Sequence, residues 1–140
     1  LYKNFKVGKI YTFDKKNYNS AIFTTGITYQ LGLEIQNQLF KKKIKINVYN
    51  MPTVKPLNVK QLIKLIKKSS NIFSLEEHSE VGGIGTILSE LIAENQINLK
   101  NFKRFAFPDK PLKGYGRQHE MMKKYNLDKK SILRKISNLI

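Results

Sequence analysis

Cysteine is absent from this chain of 140 residues, so neither a disulfide framework nor a thiolate metal site can form. Histidine occurs only at His78 and His119, and a zinc site would therefore need carboxylates to supply its remaining ligands. No apolar run approaches the roughly 20 residues that span a bilayer, and the N-terminus lacks a signal-peptide core. We expect a cytoplasmic protein with no membrane partner and no metal site of its own.

Acidic residues are also scarce, because 10 Asp and Glu face 26 Lys and Arg and leave a formal net charge of +16. A field of this sign attracts polyanions, so a basic module that binds nucleic acid is one interpretation. Arginine, however, occurs only at Arg104, Arg117 and Arg134, whereas proteins that read bases and phosphates rely on its planar fork. The lysines are spread over the whole chain, which favours solubility and non-specific association over nucleic-acid recognition.

The hydrophobic content of 41% and the aromatic content of 11% are typical of a folded protein. A chain of this length is long enough to bury a core, and we predict a single domain over residues 1–140. Because the sequence begins at Leu1 and not at Met, we expect it to be part of a longer protein.

The pattern of apolar residues predicts strands that alternate with helices. The predicted strands cover Lys9 to Asp14, Ser20 to Thr24, Ile44 to Tyr49, Ile72 to Leu75 and Phe102 to Phe107. Helices are predicted from the turn at Gly26 to about Phe40, after the N-cap Asn58, from the glycines before Ile84 to about Asn95, around Glu120 to Lys124, and after the N-cap Asp128. The apolar residues of the last helix are Ile132, Leu133, Ile136 and Ile140.

Such alternation requires βαβ crossovers and a parallel sheet that helices cover on both faces. The first two strands are too close in sequence for a crossover. The first strand is therefore predicted to lie antiparallel to its neighbour or at an edge of the sheet.

Residues 71–94 form the most informative stretch, since a strand there ends in charged residues, turns through glycines and continues as a helix. Glu76 and His78 share one side of an extended segment, and a carboxylate beside an imidazole can move protons. A catalytic pair also needs a nucleophile, a metal or a cofactor, and none is visible nearby. We therefore favour a structural interpretation, in which these side chains cap loops or contact another domain or subunit.

The glycines of Gly82-Gly83-Ile84-Gly85 open the helix of this corner. Free backbone N–H groups at a helix start can hold a phosphate or a carboxylate. The spacing is neither the dinucleotide fingerprint nor a P-loop. Glycine also permits tight turns and the close approach of another backbone. We favour close approach of a partner domain, with anion binding as the second interpretation.

Four segments of the chain together resemble a known family. They are the Met-Pro and Lys-Pro-Leu connection within residues 48–58, the Glu-Glu-His-Ser and glycine stretch within 76–90, Phe107-Pro108-Asp109-Lys110, and Lys124-Tyr125-Asn126-Leu127. Their order and spacing resemble the C-terminal domain of transketolases from about Ser20 to Ile140. The resemblance implies an α/β fold of three layers, α/β/α, around a mostly parallel, five-stranded mixed sheet whose first strand runs antiparallel.

The resemblance also implies that the cofactor is bound by other domains of a longer parent enzyme. Transketolases hold thiamine diphosphate and a divalent metal (Mg) on two preceding domains, and no residue here matches those motifs. We therefore assign no catalytic, cofactor-binding or metal-binding residue to this chain. The candidate interface or anion-binding residues are Glu76, His78, Gly82, Gly83 and Gly85. After Gly116 the segment from Arg117 to Met122 departs from the family pattern. The resemblance therefore does not imply a detailed substrate or partner specificity.

The resulting hypothesis is the C-terminal domain of a transketolase, or the C-terminal subunit of a split transketolase. The parent would transfer a two-carbon ketol unit between sugar phosphates, and this domain would pack against the pyrimidine- and diphosphate-binding domains or subunit and support a homodimer. The alternatives are the same domain of a deoxyxylulose-phosphate synthase or a 2-oxo acid dehydrogenase beta subunit, and a basic polyanion-binding module.

Overall fold

The computed structural model describes residues 5–13 and 16–140, and a parallel sheet of four strands lies at its centre. The strands are β1 (Ser20–Thr24), β2 (Asn47–Asn50), β3 (Asn71–Ser79) and β4 (Asn101–Phe107), and they lie in the order β2-β1-β3-β4. The helices are α1 (Thr28–Lys41), α2 (Val59–Ile66), α3 (Ile84–Glu94), α4 (Gln118–Lys124) and α5 (Lys129–Leu139). No helix within the described ranges has the length and apolarity to cross a membrane.

Side chains that alternate along the strands build one apolar core on each face of the sheet. Ile22 and Phe73 pack with residues of α1, α4 and α5 on one face. Phe23 and Ile72, their neighbours in sequence, pack with α2 and α3 on the other face. The predicted α/β class with three layers is thereby confirmed. The aromatic side chains of the strands belong to these cores, as Tyr49, Phe105 and Phe107 are buried.

The predicted fifth strand, Lys9 to Asp14, is reduced to one antiparallel bridge between Tyr11 and Asn50. The Tyr11 amide donates to the Asn50 carbonyl over 2.9 Å, and the Asn50 amide donates back over 2.8 Å. The bridge lies on β2, at the edge of the sheet, and has the predicted direction. Asp14 falls outside the described residues. The sheet that the structure describes thus has four strands and not five, because only one pair of residues on this segment forms the ladder.

Strand β2 begins three residues later than predicted, at Asn47 and not at Ile44. The chain leaves α1 through Lys43, whose φ of 63° is left-handed. The Ile44 amide then donates to the Leu39 carbonyl over 3.0 Å, which closes the end of the helix. Residues 42–46 therefore form the turn that ends α1 and not the start of β2. Ile46 is buried in the core although it is not yet paired in the sheet.

Both predicted N-caps are confirmed. The Asn58 side chain accepts a hydrogen bond from the Gln61 amide over 2.9 Å at the start of α2. The Asp128 carboxylate accepts from the amides of Lys130 and Ser131 over 3.1 and 3.2 Å at the start of α5. The Ser131 hydroxyl also donates to Asp128 over 2.6 Å.

We predict that Asp128→Ala lowers the free energy of unfolding by about 1 kcal/mol at neutral pH, because α5 loses its cap. Desolvation by burial raises the pKa of the Asp128 carboxyl, but the hydrogen bonds from Ser131 and from backbone amides outweigh it and hold that pKa below its usual 3.8. A lowered pKa in the folded state contributes stability above the usual pKa, and this contribution disappears as the pH falls below about 4.

Urea denaturation at several pH values measures this effect. The difference between wild type and Asp128→Ala should shrink towards acid pH, whereas Asp128→Asn, which preserves the cap, should stay close to wild type at neutral pH. A difference that is independent of pH would contradict the role of the charged carboxylate.

Candidate functional site at the carboxyl edge of the sheet

The strand order places a topological switch point between the carboxyl ends of β1 and β3. From β1 the chain passes through α1 to β2 on one side, whereas β3 lies on the other side of β1 and continues into α3 on the opposite face. Open α/β sheets bind ligands in the crevice at such a point. A cleft of about 260 Å³ lies here, lined by Thr25 after β1, Val54 after β2, and Glu76 and His78 of β3.

Glu76 caps helix α3 from within the sheet. Its carboxylate accepts hydrogen bonds from the amides of Ile84 and Gly85 over 2.8 and 2.9 Å. Its side chain is 1% exposed, and Glu76 is the only acidic or basic residue that is buried among those described. Since Gly83, the N-cap residue, has no side chain, the carboxylate of β3 satisfies the first free amides of α3. The positive end of the helix dipole also favours its charge.

Gly83 and Gly85 leave room for this arrangement. A Cβ atom on Gly83 would overlap the Glu76 carboxylate and lie 2.6 Å from its Cδ. A Cβ atom on Gly85 would lie 2.7 Å from Cδ of Arg104 and 2.8 Å from Oγ of Ser74. The glycines therefore permit the close approach of the chain's own strands to α3.

The loop between β3 and α3 is fixed by its own hydrogen bonds. Gly82 has a left-handed φ of 80°, and its amide donates to the Thr86 hydroxyl over 3.0 Å. The Thr86 hydroxyl donates to the Glu80 carbonyl over 3.2 Å, and Arg104 Nη1 donates to the same carbonyl over 2.7 Å. The loop that carries the predicted site is thus tied to both α3 and β4.

Glu77 and His78 are exposed, unlike Glu76. Glu77 accepts a hydrogen bond from Gln118 Nε2 over 2.7 Å, which links β3 to α4. His78 Nδ1 lies 3.0 Å from the carbonyl oxygen of its neighbour Ser79. His78 also lines a second cavity of about 470 Å³, bounded by Phe107 at the end of β4 and by residues 108–112 after it. His78 therefore stands between two depressions on the carboxyl edge.

The structure brings four of the five candidate residues to one cleft: Glu76, His78, Gly82 and Gly83. Gly85 lies beneath it, against β3 and β4. The chemistry available is that of one imidazole and one carboxylate that two amides already engage. His119 lies on α4, fully on the surface. Among the described residues, no group of three His, Asp or Glu side chains could hold a metal ion.

Three residues that line or support this edge were not assigned to it from the sequence. Thr25 and Val54 line the cleft although they follow different strands, and Arg104 of β4 holds the loop of β3. The predicted parallel sheet could have identified them, because every loop that follows a parallel strand leaves at the same edge of the sheet. Applied to the predicted strands, that rule would have gathered Thr25 and Val54 beside Glu76.

Comparison with known proteins reveals related sequences. Residues 11–132 match the family described as "Transketolase, C-terminal domain". The chain is 33% identical over 104 residues to one of the subunits of apulose-4-phosphate transketolase of Phocaeicola vulgatus, a match that covers 74% of this chain and 31% of that protein. It is 30% identical over 115 residues to 1-deoxy-D-xylulose-5-phosphate synthase of Alkaliphilus oremlandii, covering 82% of this chain and 18% of that protein. The chain thus spans less than a third of the length of these relatives.

Solved structures share the fold. A split gene transketolase in an inactive beta4 tetramer superimposes with a TM-score of 0.83 at 21% identity, covering 96% of this chain and 43% of that one. Transketolase of Campylobacter jejuni gives a TM-score of 0.65 at 16% identity, covering 94% of this chain and 18% of that one. Given the family match over residues 11–132, this chain belongs to the transketolase C-terminal domain family.

Proposed function

We propose that residues 1–140 form the C-terminal domain, or the C-terminal subunit, of a cytoplasmic thiamine diphosphate-dependent enzyme of the transketolase type. In this role the chain does not perform the chemistry. It docks through the carboxyl edge of its sheet onto the part of the enzyme that binds the pyrimidine and diphosphate groups of the cofactor, and it supports the homodimer of the parent. The candidate residues Glu76, His78, Gly82, Gly83 and Gly85 shape that docking edge.

The observation that carries this proposal is the distribution of exposed aliphatic residues. Each of the four loops that follow a strand presents one: Ile27 (54% exposed), Val54 (36%), Val81 (55%) and Leu112 (40%). Parallel strands direct all four loops to one edge, so four exposed apolar side chains lie at that edge. Val54 lines the cleft, and Leu112 lines the neighbouring cavity. Exposed apolar surface of this kind marks protein–protein contact.

The charge on this edge also suits a buried interface. Four acidic and four basic residues lie on it, in a chain whose formal charge is +16. The acidic residues are Glu76, Glu77, Glu80 and Asp109, and the basic residues are Lys55, Lys110, Lys113 and Arg117. Interface cores are poor in net charge because unpaired charges lose hydration there. The excess of lysine lies elsewhere on the molecule.

The described residues do not fit thiamine diphosphate and its metal. The buried carboxylate of Glu76 is engaged by the amides of Ile84 and Gly85, and no group of three potential metal ligands occurs in residues 5–13 and 16–140. We therefore derive no catalytic step on this chain and attribute the cofactor to the preceding domains or subunit of the parent.

Within this proposal the parent is a transketolase, and the match to a subunit of the Phocaeicola vulgatus transketolase supports that assignment. The second candidate is 1-deoxy-D-xylulose-5-phosphate synthase, which the match to the Alkaliphilus oremlandii protein favours. Assays of the complete enzyme with ketose phosphates as donors, compared with pyruvate, distinguish the two. Ketol transfer from a ketose phosphate is expected. Activity only with pyruvate would replace the first assignment by the second.

Docking predicts a specific effect of charge on the edge. The double variant Ile27→Asp/Val81→Asp should bind the cofactor-binding part of the parent at least tenfold more weakly, because two carboxylates would be buried in an apolar contact. Isothermal titration calorimetry measures the affinity, with that part produced from the coding sequence upstream of Leu1 or from a neighbouring gene.

A control is Ile140→Asp, which places one carboxylate on an aliphatic residue that is 40% exposed at the C-terminus of α5. This variant should bind as wild type does. Equal affinity of the edge variant and wild type would refute docking through the carboxyl edge.

A further inference from the structure

A groove of about 340 Å³ runs along β4 and reaches Glu80 at the carboxyl edge, but it shares no residue with the cleft there. Residues 103–106 of β4 form its floor, and Arg134 and Lys135 of α5 form part of its wall. Its charge is one-sided, because the groove contains four cationic side chains and one carboxylate, that of Glu80. The cations are Lys103, Arg104, Arg134 and Lys135.

β4 is also an open edge of the sheet. It pairs with β3 from Asn71↔Asn101 to Ser79↔Phe107, and no strand pairs with its other side in the part of the chain that the structure describes. The opposite edge differs, since β2 receives the bridge from Tyr11. A strand with one unpaired side presents amide and carbonyl groups to which an extended chain can add.

The two features together define the partner. We propose that the β4 groove binds an extended acidic peptide segment, which adds to the sheet as a strand beside β4 while its carboxylates face Lys103, Arg134 and Lys135. Residues 103–106 span roughly 13 Å, which corresponds to about four residues of the added segment. This inference is independent of the proposed docking of the carboxyl edge.

The charge of the groove decides against a second copy of the chain. Two β4 edges would bring two sets of four cations together, on molecules that each carry +16. Like charges placed opposite each other destabilise strand pairing. A polynucleotide would satisfy the cations but has no backbone amides, whose regular spacing is needed to pair with the edge of β4. An acidic peptide satisfies both the side chains and the backbone.

Fluorescence anisotropy of a labelled octapeptide of sequence Glu-Thr-Glu-Val-Glu-Thr-Glu-Val tests the proposal on the 140-residue chain. We expect saturable binding. Two further peptides keep the charge but are N-methylated at alternate amides, one at the odd-numbered and one at the even-numbered residues. Only one of these two sets of amides faces β4, so one of the two peptides should lose the ladder and bind at least tenfold more weakly. Peptide-induced shifts of backbone amide resonances should concentrate at residues 102–106.

Charge-matched variants separate the groove from the general basicity of the molecule. Arg134→Glu/Lys135→Glu should weaken binding of the octapeptide at least tenfold. Lys64→Glu/Lys68→Glu makes the same change of charge at exposed positions of α2 and just after it, and should stay within about twofold of wild type. The single variant Ile27→Asp changes the docking edge but no residue next to the groove, and it should bind the octapeptide as wild type does.

Three results would overturn the proposal. The first is no saturable binding of the octapeptide. The second is equal affinity for both N-methylated peptides and the parent peptide, which would reduce the groove to a non-specific cationic patch. The third is displacement of the octapeptide from wild type by a single-stranded oligonucleotide of equal charge at equal concentration, which would make the groove a polyanion site.

Discussion

Glu76→Gln is expected to lower the free energy of unfolding by about 2 kcal/mol, the range for losing a hydrogen bond to a charged group in a buried place. The carboxylate accepts from the amides of both Ile84 and Gly85, and a glutamine side chain offers only one oxygen. Its NH₂ group would then face a backbone N–H. The favourable interaction of the charge with the start of α3 is lost as well.

Urea denaturation followed by circular dichroism measures this loss as a lower midpoint at unchanged slope. Glu77→Gln is the matched control, because its side chain is exposed and accepts its hydrogen bond from Gln118 at the surface. That variant should stay within about 0.5 kcal/mol of wild type. If both variants were equally stable, the capping of α3 by Glu76 would be untenable.

Gly83→Ala should destabilise the fold by about 2–3 kcal/mol through overpacking. The backbone of Gly83, at φ −87° and ψ −168°, suits any residue, so the cost does not come from the backbone. It comes from the methyl group, which would overlap the Glu76 carboxylate. In Gly82→Ala the backbone, and not a steric overlap, opposes alanine. Its φ is 80°, and a Cβ would meet nothing within 4 Å. We expect about 1–2 kcal/mol for that variant, from the left-handed backbone alone.

A double-mutant cycle separates the contact from the backbone effect. In the background of Glu76→Ala the carboxylate is gone, so Gly83→Ala should cost less than about 0.5 kcal/mol. The same background should leave the cost of Gly82→Ala unchanged. Additive effects of Glu76→Ala and Gly83→Ala would show that the two residues do not constrain each other.

The secondary structure was largely predictable because it follows from local chemistry. Apolar residues at helical and strand spacing defined the helices and strands, and Asn58 and Asp128 are caps whose partners lie two or three residues away. The fifth strand was not predictable in its observed form. A β-prone segment around Tyr11 has the composition of a strand, but ladder formation depends on how closely it follows β2 in space.

The structure of the corner at Glu76 could be predicted from the sequence only in part. Its glycines and charged residues identified it as a site, yet nothing local tells which of Glu76, Glu77 and His78 turns inward. The partners of Glu76 lie eight and nine residues away, across a turn whose shape the fold sets. The second interpretation, anion binding by the amides of the α3 start, stays a prediction, and an anion there would compete with the chain's own carboxylate.

The apolar edge was likewise hidden in the sequence. Ile27, Val54, Val81 and Leu112 are isolated aliphatic residues in four separate loops, and single exposed aliphatic residues are ordinary. Only the parallel sheet brings their four loops to one edge. The same is true of the β4 groove, since Lys103 and Arg134 are distant in sequence and meet through the packing of α5 beside β4.

The proposed role of this chain in its parent enzyme is docking through the carboxyl edge of the sheet. Hydrogen–deuterium exchange of the 140-residue chain, alone and bound to the cofactor-binding part of the parent, tests it most directly. Binding should slow exchange in the four loops at residues 25–27, 51–58, 80–83 and 108–117, and leave the strand starts at Ser20 and Asn101 unchanged. Protection confined to the opposite edge, or no protection at all, would contradict docking through the carboxyl edge.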